Sequence, residues 1–242
     1  DPGFASGKPG NEETVKFGIV GATAHPQIDF TKCNNSKFGY ANHPVQVVNY
    51  VSCHDDLCLT DKLAKSMPGS TEEERIAVAK LAQTIVFTSQ GIPFMFTGEE
   101  VFRNKKGVHN SYCSPDSINA IDWNQKKQYR DLFDYYKGII NLRKLHPAFR
   151  MTTAEDVAKN LVFDEVAQPN LISYSIKNNA NGDSWSEIKV ILNGATKANE
   201  VEVPAGEWTV VVKDGKVDEA GLEKSQGGKL SIAPRTALIL AK

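Results

Sequence analysis

The sequence predicts an α/β portion followed by an all-β portion. Three observations support this. Residues 45–51, Val-Gln-Val-Val-Asn-Tyr-Val, form a β-branched, largely apolar run closed by His54 and Asp55. A long helical stretch and a second apolar run, 92–98, follow it. Beyond Phe149, short runs of alternating character recur between clusters of Asn, Gly, Asp and Pro. Strand, long helix and strand in that order mark a parallel βαβ unit with a right-handed connection. Several short strands with regular turns mark an antiparallel sandwich.

Taken in order, residues 1–13 read as surface loop, rich in Gly, Pro and Asn. Residues 15–20 fit either a short strand or a short helix. The remainder to Pro44 is loop-like, and a loop-rich excursion of this length is either functional or an ordinary insertion. The run 45–51 is expected as a buried strand, apolar on both faces as parallel sheets require. His54 and Asp55 then sit at its C-terminal end, where a (β/α)8 barrel carries its chemistry. Taken as a dipeptide, His54-Asp55 reads first as a loop pair bonding its own backbone.

Pro68-Gly69-Ser70-Thr71 opens a helix expected to run to about Ser89. Ser70 with Glu73, or Thr71 with Glu74, supplies a capping box, and three glutamates lie at the positive end of the helix dipole. Its apolar residues cover most of its circumference, which predicts burial between a sheet and other helices. Glu99 and Glu100 end the second strand. Adjacent acids suit acid–base chemistry only with facing geometry, so these more naturally tie the rim together through backbone N–H groups. The loop 101–127 mixes amides, acids and aromatics, among them Asn110, Tyr112, Asp116 and Trp123. Such a set binds hydroxyls with its polar groups and a ring's C–H face with its aromatics. It reads equally as a solvated loop with one packed Trp. Residues 128–146 repeat apolar positions at three and four, a second helix ended by Pro147. His146 at its end is assigned no role. A helical patch near 153–160 leads to strands at 161–166, 171–177, 187–192, 200–203, 207–212, 229–232 and 236–240.

Composition sets bounds. The 242 residues suffice for one large or two ordinary domains, with 40% hydrophobic and 24% charged residues. A net charge of −1 gives no general attraction to nucleic acid or anionic membrane. No run of 18 apolar residues predicts a membrane span. The start, Asp1-Pro2-Gly3-Phe4, is not a signal peptide and lacks an initiator Met, as a processed or excised end would. The cysteines at 33, 53, 58 and 113 lack metal-type spacing and are expected as free thiols in the main, with Cys53 buried on a strand. No metal and no cofactor is expected.

The run Asn49-Tyr50-Val51-Ser52-Cys53-His54-Asp55 resembles the fourth sequence motif of the α-amylase superfamily, glycoside hydrolase family 13. Residues 90–100, Gln-Gly-Ile-Pro-Phe-Met-Phe-Thr-Gly-Glu-Glu, are similar to that family's eighth barrel strand. Asn110-Ser111-Tyr112, Ser114 to Asn119 and Ile121-Asp122-Trp123 resemble its pullulanase and isoamylase branch. Asp56 departs from the branch's usual Asn, and Phe102 and Asn104 from its commoner Leu and Thr. The resemblance implies that residues 1–150 are the C-terminal portion of a (β/α)8 catalytic barrel and 151–242 a terminal β-sandwich. It implies a retaining hydrolase of α-1,6 branch linkages in pullulan, starch or glycogen-type glucans. Asp55 would be the transition-state stabiliser and His54 a sugar ligand beside it, with Asn110, Tyr112 and Asp116 lining the cleft mouth. The family's nucleophile Asp and acid Glu lie on its fourth and fifth strands, and no match to those motifs occurs here. The chain by itself is therefore expected to be inactive. Its expected partners are an α-glucan and the remainder of the barrel or a second copy, unless the N-terminal segment covers the open strand edge. The alternatives are a non-catalytic glucan-binding or assembly fragment, or an isoamylase or branching enzyme. The compartment is not specified by the sequence.

Overall fold

A computed structural model describes residues Asp1 to Lys242. The chain is a mixed α/β structure with a helical layer packed on a large antiparallel sheet. It begins with loop and helix α1 (Glu12–Ile19), which settles the ambiguity at residues 15–20 in favour of helix. A 3-10 turn at Pro44–Gln46 leads into strand β1, Val48–Asn49. Helix α2 (Leu59–Ser66) follows, then α3 (Glu72–Thr88) and strand β2 (Ile92–Pro93). Two short helices, α4 (Asp116–Asn119) and α5 (Gln125–Gln128), precede α6 (Arg130–Leu145) and α7 (Ala154–Asn160).

The βαβ order holds, because β1 and β2 pair in parallel, Val48 opposite Ile92. The extent of the strands does not. Where residues 45–51 and 92–98 promise full strands, two residues of each are in ladder conformation. Nor is either run buried throughout: Val47 is buried, but Val45, Val48 and Tyr50 of the first run and Ile92 and Phe94 of the second are exposed, and the N-terminal segment leaves them so. A strand apolar on both faces needs pairing and cover on both sides, and a two-strand ribbon supplies one neighbour only. Tyr50 and Phe94 meet edge-to-face at 6.0 Å across that open face. Cys53 is likewise only half-buried and lies past the strand, while Cys33 and Cys58 are buried; all four cysteines are free thiols.

Helix α3 begins where its chemistry dictates. Thr71 Oγ1 accepts from the Glu74 N–H at 3.2 Å, and Glu74 Oε2 accepts from the Thr71 N–H at 2.9 Å. Such a reciprocal cap stabilises a helix start by about 1 kcal/mol. Helix α2 has no counterpart in the sequence reading.

Seven of the nine strands after residue 160 form an antiparallel sheet. They are β3 (Leu161–Phe163), β4 (Leu171–Lys177), β5 (Glu187–Asn193), β7 (Trp208–Lys213), β8 (Lys216–Val217), β9 (Glu223–Ser225) and β11 (Thr236–Ala241). The order is β3-β4-β5-β11-β7-β8, with β9 also on β7. Strands β6 (Asn199–Val203) and β10 (Gly228–Ile232) form a separate antiparallel ribbon. One face of the sheet, with Ile172, Tyr174, Val190 and Ile239, shares a continuous core with the helices through Leu81, Tyr136, Ile139 and Phe149. Its other face, with Leu171, Ile191, Trp208 and Leu240, packs on the ribbon through Val201, Val203 and Ile232. Both faces are covered, which explains why β4 and β5 are buried along nearly their whole length, with Ser173, Ser175 and Lys189 among the buried residues, instead of alternating between buried and exposed.

Buried polar groups join the helical layer to the sheet. Lys80 on α3 pairs with Asp131 and donates to the Gly215 carbonyl at 3.0 Å. His146, just past α6, is almost fully buried. Its Nδ1 meets Asp183 Oδ1 at 2.9 Å, and its ring stacks on Trp185 with centroids 3.3 Å apart. Asp183 also accepts from the Ala148 N–H at 3.0 Å and the Trp185 N–H at 2.9 Å.

Candidate active-site loops

Two loops meet at the C-terminal end of the β1–β2 ribbon. The first carries Ser52 to Asp56. Its polar character and the lack of ladder partners beyond Asn49 end the strand and turn the chain outward. His54 and Asp55 both point to solvent, with side chains 81% and 71% exposed and Nε2 3.5 Å from Oδ1. Asp56 follows in a left-handed conformation, φ +57°. Cys53, His54 and Asp55 bring one ligand atom each within 4.8 Å of one another. They are consecutive and at the surface, and nothing in this arrangement marks a built metal site.

The second loop leaves β2. Gly98, at φ +96°, turns it tightly enough that a Cβ would lie 2.6 Å from the Arg103 side chain. Glu100 Oε2 accepts from the Gly98 N–H at 3.0 Å, the backbone role expected for this acidic pair. Glu99 instead turns inward, where Ser52 Oγ and Gln83 Nε2 both bond its carboxyl. Its pKa is pushed up to about 7, chiefly by burial and further by Glu100, against the lowering effect of its two hydrogen bonds.

The second loop is held by residues to which the sequence reading gave no supporting role. Asp61 on α2 accepts from the Lys105 N–H at 2.6 Å and the Gly107 N–H at 3.0 Å, and from the Cys58 thiol at 3.0 Å. Burial and the Asp61 hydrogen bond push the Cys58 thiol up to about 11, so it packs and donates without being nucleophilic. Lys105 Nζ reaches Ser111 Oγ at 2.6 Å, and Ser111 Oγ donates to Asn119 Oδ1 at 2.8 Å. Asn119 closes the circle on the Ser111 and Ser114 carbonyls at 2.6 and 2.9 Å. The available signal was local: polar residues flanking the sugar-like motif at spacings suited to loop closure.

Within this scaffold Asn110 sits at φ +47°, and its Oδ1 accepts the Asp56 N–H at 3.2 Å. Asp56 Oδ1 lies 3.2 Å from His109 Nδ1. The structure thus joins the loop of His54 and Asp55 directly to Asn110. Tyr112 stands two residues on, 87% exposed. Asp116 is exposed at the first turn of α4, and its side chain takes no part in the bonds joining the two loops. Chemically, the arrangement offers an open carboxylate, an imidazole, an amide and an aromatic face on one rim. That set can grip a polyhydroxylated ring.

Comparison with known proteins agrees with the folded part of this picture. The family model "Pullulanase, all-beta domain" matches residues 157–216, the first strands of the large sheet and part of the ribbon. The pullulanase of Bacillus subtilis is 32% identical over 202 residues, which are 84% of this chain and 27% of that protein. A pullulanase structure from Bacillus acidopullulyticus superposes with a TM-score of 0.89 at 38% identity, covering 99% of this chain and 28% of that one. A pullulanase from Paenibacillus barengoltzii, in complex with maltohexaose and α-cyclodextrin, gives a TM-score of 0.84 at 38% identity, over 99% of this chain and 35% of that one. The chain spans about a quarter to a third of the length of these relatives. By sequence and by fold the chain belongs to the pullulanase family, matching a segment of its members rather than their whole length.

Proposed function

We propose that this chain is part of a retaining glycoside hydrolase that cleaves α-1,6 linkages in α-glucans, and that it supplies the carboxylate that stabilises the transition state. The observation that carries this reading is the solvent-facing pair His54–Asp55, joined through Asp56 to the Asn110 loop. In this reading residues 1–150 are the last part of a (β/α)8 barrel, with β1 and β2 its two final strands, and 151–242 the terminal β domain. The exposed faces of Val48, Tyr50, Ile92 and Phe94 favour such a partner surface, because apolar side chains of this size gather where another element is to be packed. The remainder of the barrel, or a second copy of the chain, would cover them.

Hydrolysis with retention needs two carboxyl groups about 5–5.5 Å apart, one as nucleophile and one as acid and then base. Asp55 has no such facing partner among these loops, since Glu99 is turned inward and Glu100 bonds Gly98. That fits the auxiliary role which the resemblance to the family implies for Asp55. Its carboxylate accepts two hydroxyls of the sugar at the cleaved bond. Those bonds tighten as the ring flattens toward an oxocarbenium ion, so the group binds the transition state better than the ground state. His54 bonds a neighbouring hydroxyl. Asn110, Tyr112 and Asp116 line the mouth of the cleft, Tyr112 as a stacking face for a glucose ring.

A glucan-binding role without catalysis is the second reading, favoured by the lack of a facing carboxyl pair. One experiment separates the two. The 242-residue chain and a full-length enzyme carrying it are each titrated with maltohexaose and assayed on pullulan. Hydrolysis by the full-length enzyme, lost on Asp55→Ala with maltohexaose still bound, is the expected result. Undiminished hydrolysis by that variant refutes the catalytic reading.

A further inference from the structure

Glu99 occupies a position that no surface role explains. It is 5% exposed, on the 3-10 turn Glu99–Val101 in the loop that leaves β2, and its two oxygens reach in different directions. One is bonded by Ser52 Oγ, two residues before His54 and three before Asp55. The other is bonded by Gln83 Nε2 in the middle of α3. A single carboxyl thus links the rigid helix behind the ribbon to the root of the loop that carries His54 and Asp55.

The groups facing it decide its charge. Glu100 on the same turn is acidic, and Tyr136 from α6 beneath it is a fully buried phenol whose own pKa burial raises well above the usual value. Ser52 and Gln83 are neutral. Arg103 packs against Gly98, but its guanidinium is engaged by the carbonyls of Thr97 and Asn119. No cation offsets an anion at this point, and a buried unpaired carboxylate is strongly disfavoured.

We propose that Glu99 is a positioning residue for the His54–Asp55 loop: its neutral carboxyl fastens Ser52 to Gln83, and its ionisation loosens that hold. In the neutral form the carboxyl O–H donates to Ser52 Oγ while the second oxygen accepts from Gln83. Loss of the proton makes Ser52 the donor, so both bonds can persist, but it leaves a buried charge, and the water that must enter to solvate it is what loosens the hold. Glu99→Gln reproduces the neutral pattern, with its amide N–H donating to Ser52 and its carbonyl accepting from Gln83. The ionisation sits near neutrality, where burial has placed it.

The proposal rests on the site reading above only for its consequence in catalysis, and the test keeps the two apart. First, NMR of the 242-residue chain follows the Gln83 side-chain amide and the backbone amides of residues 52–55 from about pH 5 to about pH 9. A His54→Asn background removes the nearest imidazole. All are expected to move together with one midpoint near 7, and Glu99→Gln is expected to hold them at their low-pH positions. Ser52→Ala should uncouple the loop while Gln83 still titrates. Second, in a full-length enzyme carrying this segment, Glu99→Gln is expected to move the alkaline limb of kcat/KM on pullulan upward by about one pH unit. A purely structural glutamate would leave that limb in place. Titration of Gln83 without movement at residues 53–55, survival of the transition in Glu99→Gln, or an unmoved alkaline limb would each overturn the proposal. Failure to hydrolyse pullulan with the NMR coupling intact would count against the catalytic reading alone.

Discussion

The backbone N–H of Asp56 donates to Asn110 Oδ1 at 3.2 Å, joining two loops that lie 54 residues apart in sequence. Both residues are left-handed, at φ +57° and φ +47°. A non-glycine residue pays steric strain in that region, and such strain persists where surrounding bonds over-determine it. Here the bond and the strain sit at the rim assigned to the substrate.

Removing the acceptor should therefore free both loops. Asn110→Ala is expected to cost about 1 kcal/mol from the bond, with added strain because Ala tolerates φ +47° poorly. Asn110→Gly should lose the bond but relieve the strain, and so destabilise less. Urea denaturation together with hydrogen exchange at the Asp56 amide checks this. Equal stability and unchanged Asp56 protection in both variants would show that the loops are held elsewhere.

Glu99 makes stability depend on pH with a definite sign. Its folded-state pKa, about 7, is raised above the ordinary 4.5. The folded protein thus binds the proton more tightly than the unfolded chain. Stability from this group is fully present below about pH 4.5 and is lost as pH rises through about 7. The loss amounts to ~3 kcal/mol at most, at about 1.4 kcal/mol per pH unit. Denaturant midpoints on either side of that window should fall with pH in the wild type and stay nearly level in Glu99→Gln. Parallel slopes would contradict it.

Asp183 gives the opposite dependence. Burial raises its carboxyl pKa, but the hydrogen bonds from His146, Ala148 and Trp185 outweigh that and bring it below the usual 3.8. Its contribution is present above that ordinary value and is lost as pH falls through the folded-state value. Asp183→Ala would leave two backbone N–H groups and a buried imidazole without their acceptor. A loss of about 3 kcal/mol is expected from unfolding curves near neutral pH. A loss well under 1 kcal/mol would show that water replaces the carboxylate freely.

The sheet was legible in the sequence because its turns are written in Asn, Gly and Asp and its strands are apolar. Strands β4, β5, β6, β7, β10 and β11 fall within a residue or two of where the pattern puts them. The short strands β8 and β9 are polar and were missed. Helix α3 was legible from its Thr71–Glu74 cap. Residues 45–51 misled because their composition is that of a strand packed on both sides, whereas their burial here is one-sided. His54, Asp55, Asn110 and Tyr112 stood out through the motifs that resemble the family, since by residue type alone they read as well as ordinary loop. The supports beneath them did not. Asp61 acts on Lys105 and Gly107 from another segment of the chain, and Lys105, Ser111 and Asn119 bond one another within their own loop in a pairing that residue types alone do not specify.

The central claim concerns the Asp55 carboxylate, and kcat/KM for pullulan tests it most directly, in a full-length enzyme carrying this segment with and without Asp55→Ala. A fall of about a hundredfold or more, in a variant that unfolds at the same denaturant concentration as the wild type, is expected for the loss of one preorganised transition-state contact. A variant that retains kcat/KM within about threefold of the wild type would contradict the account.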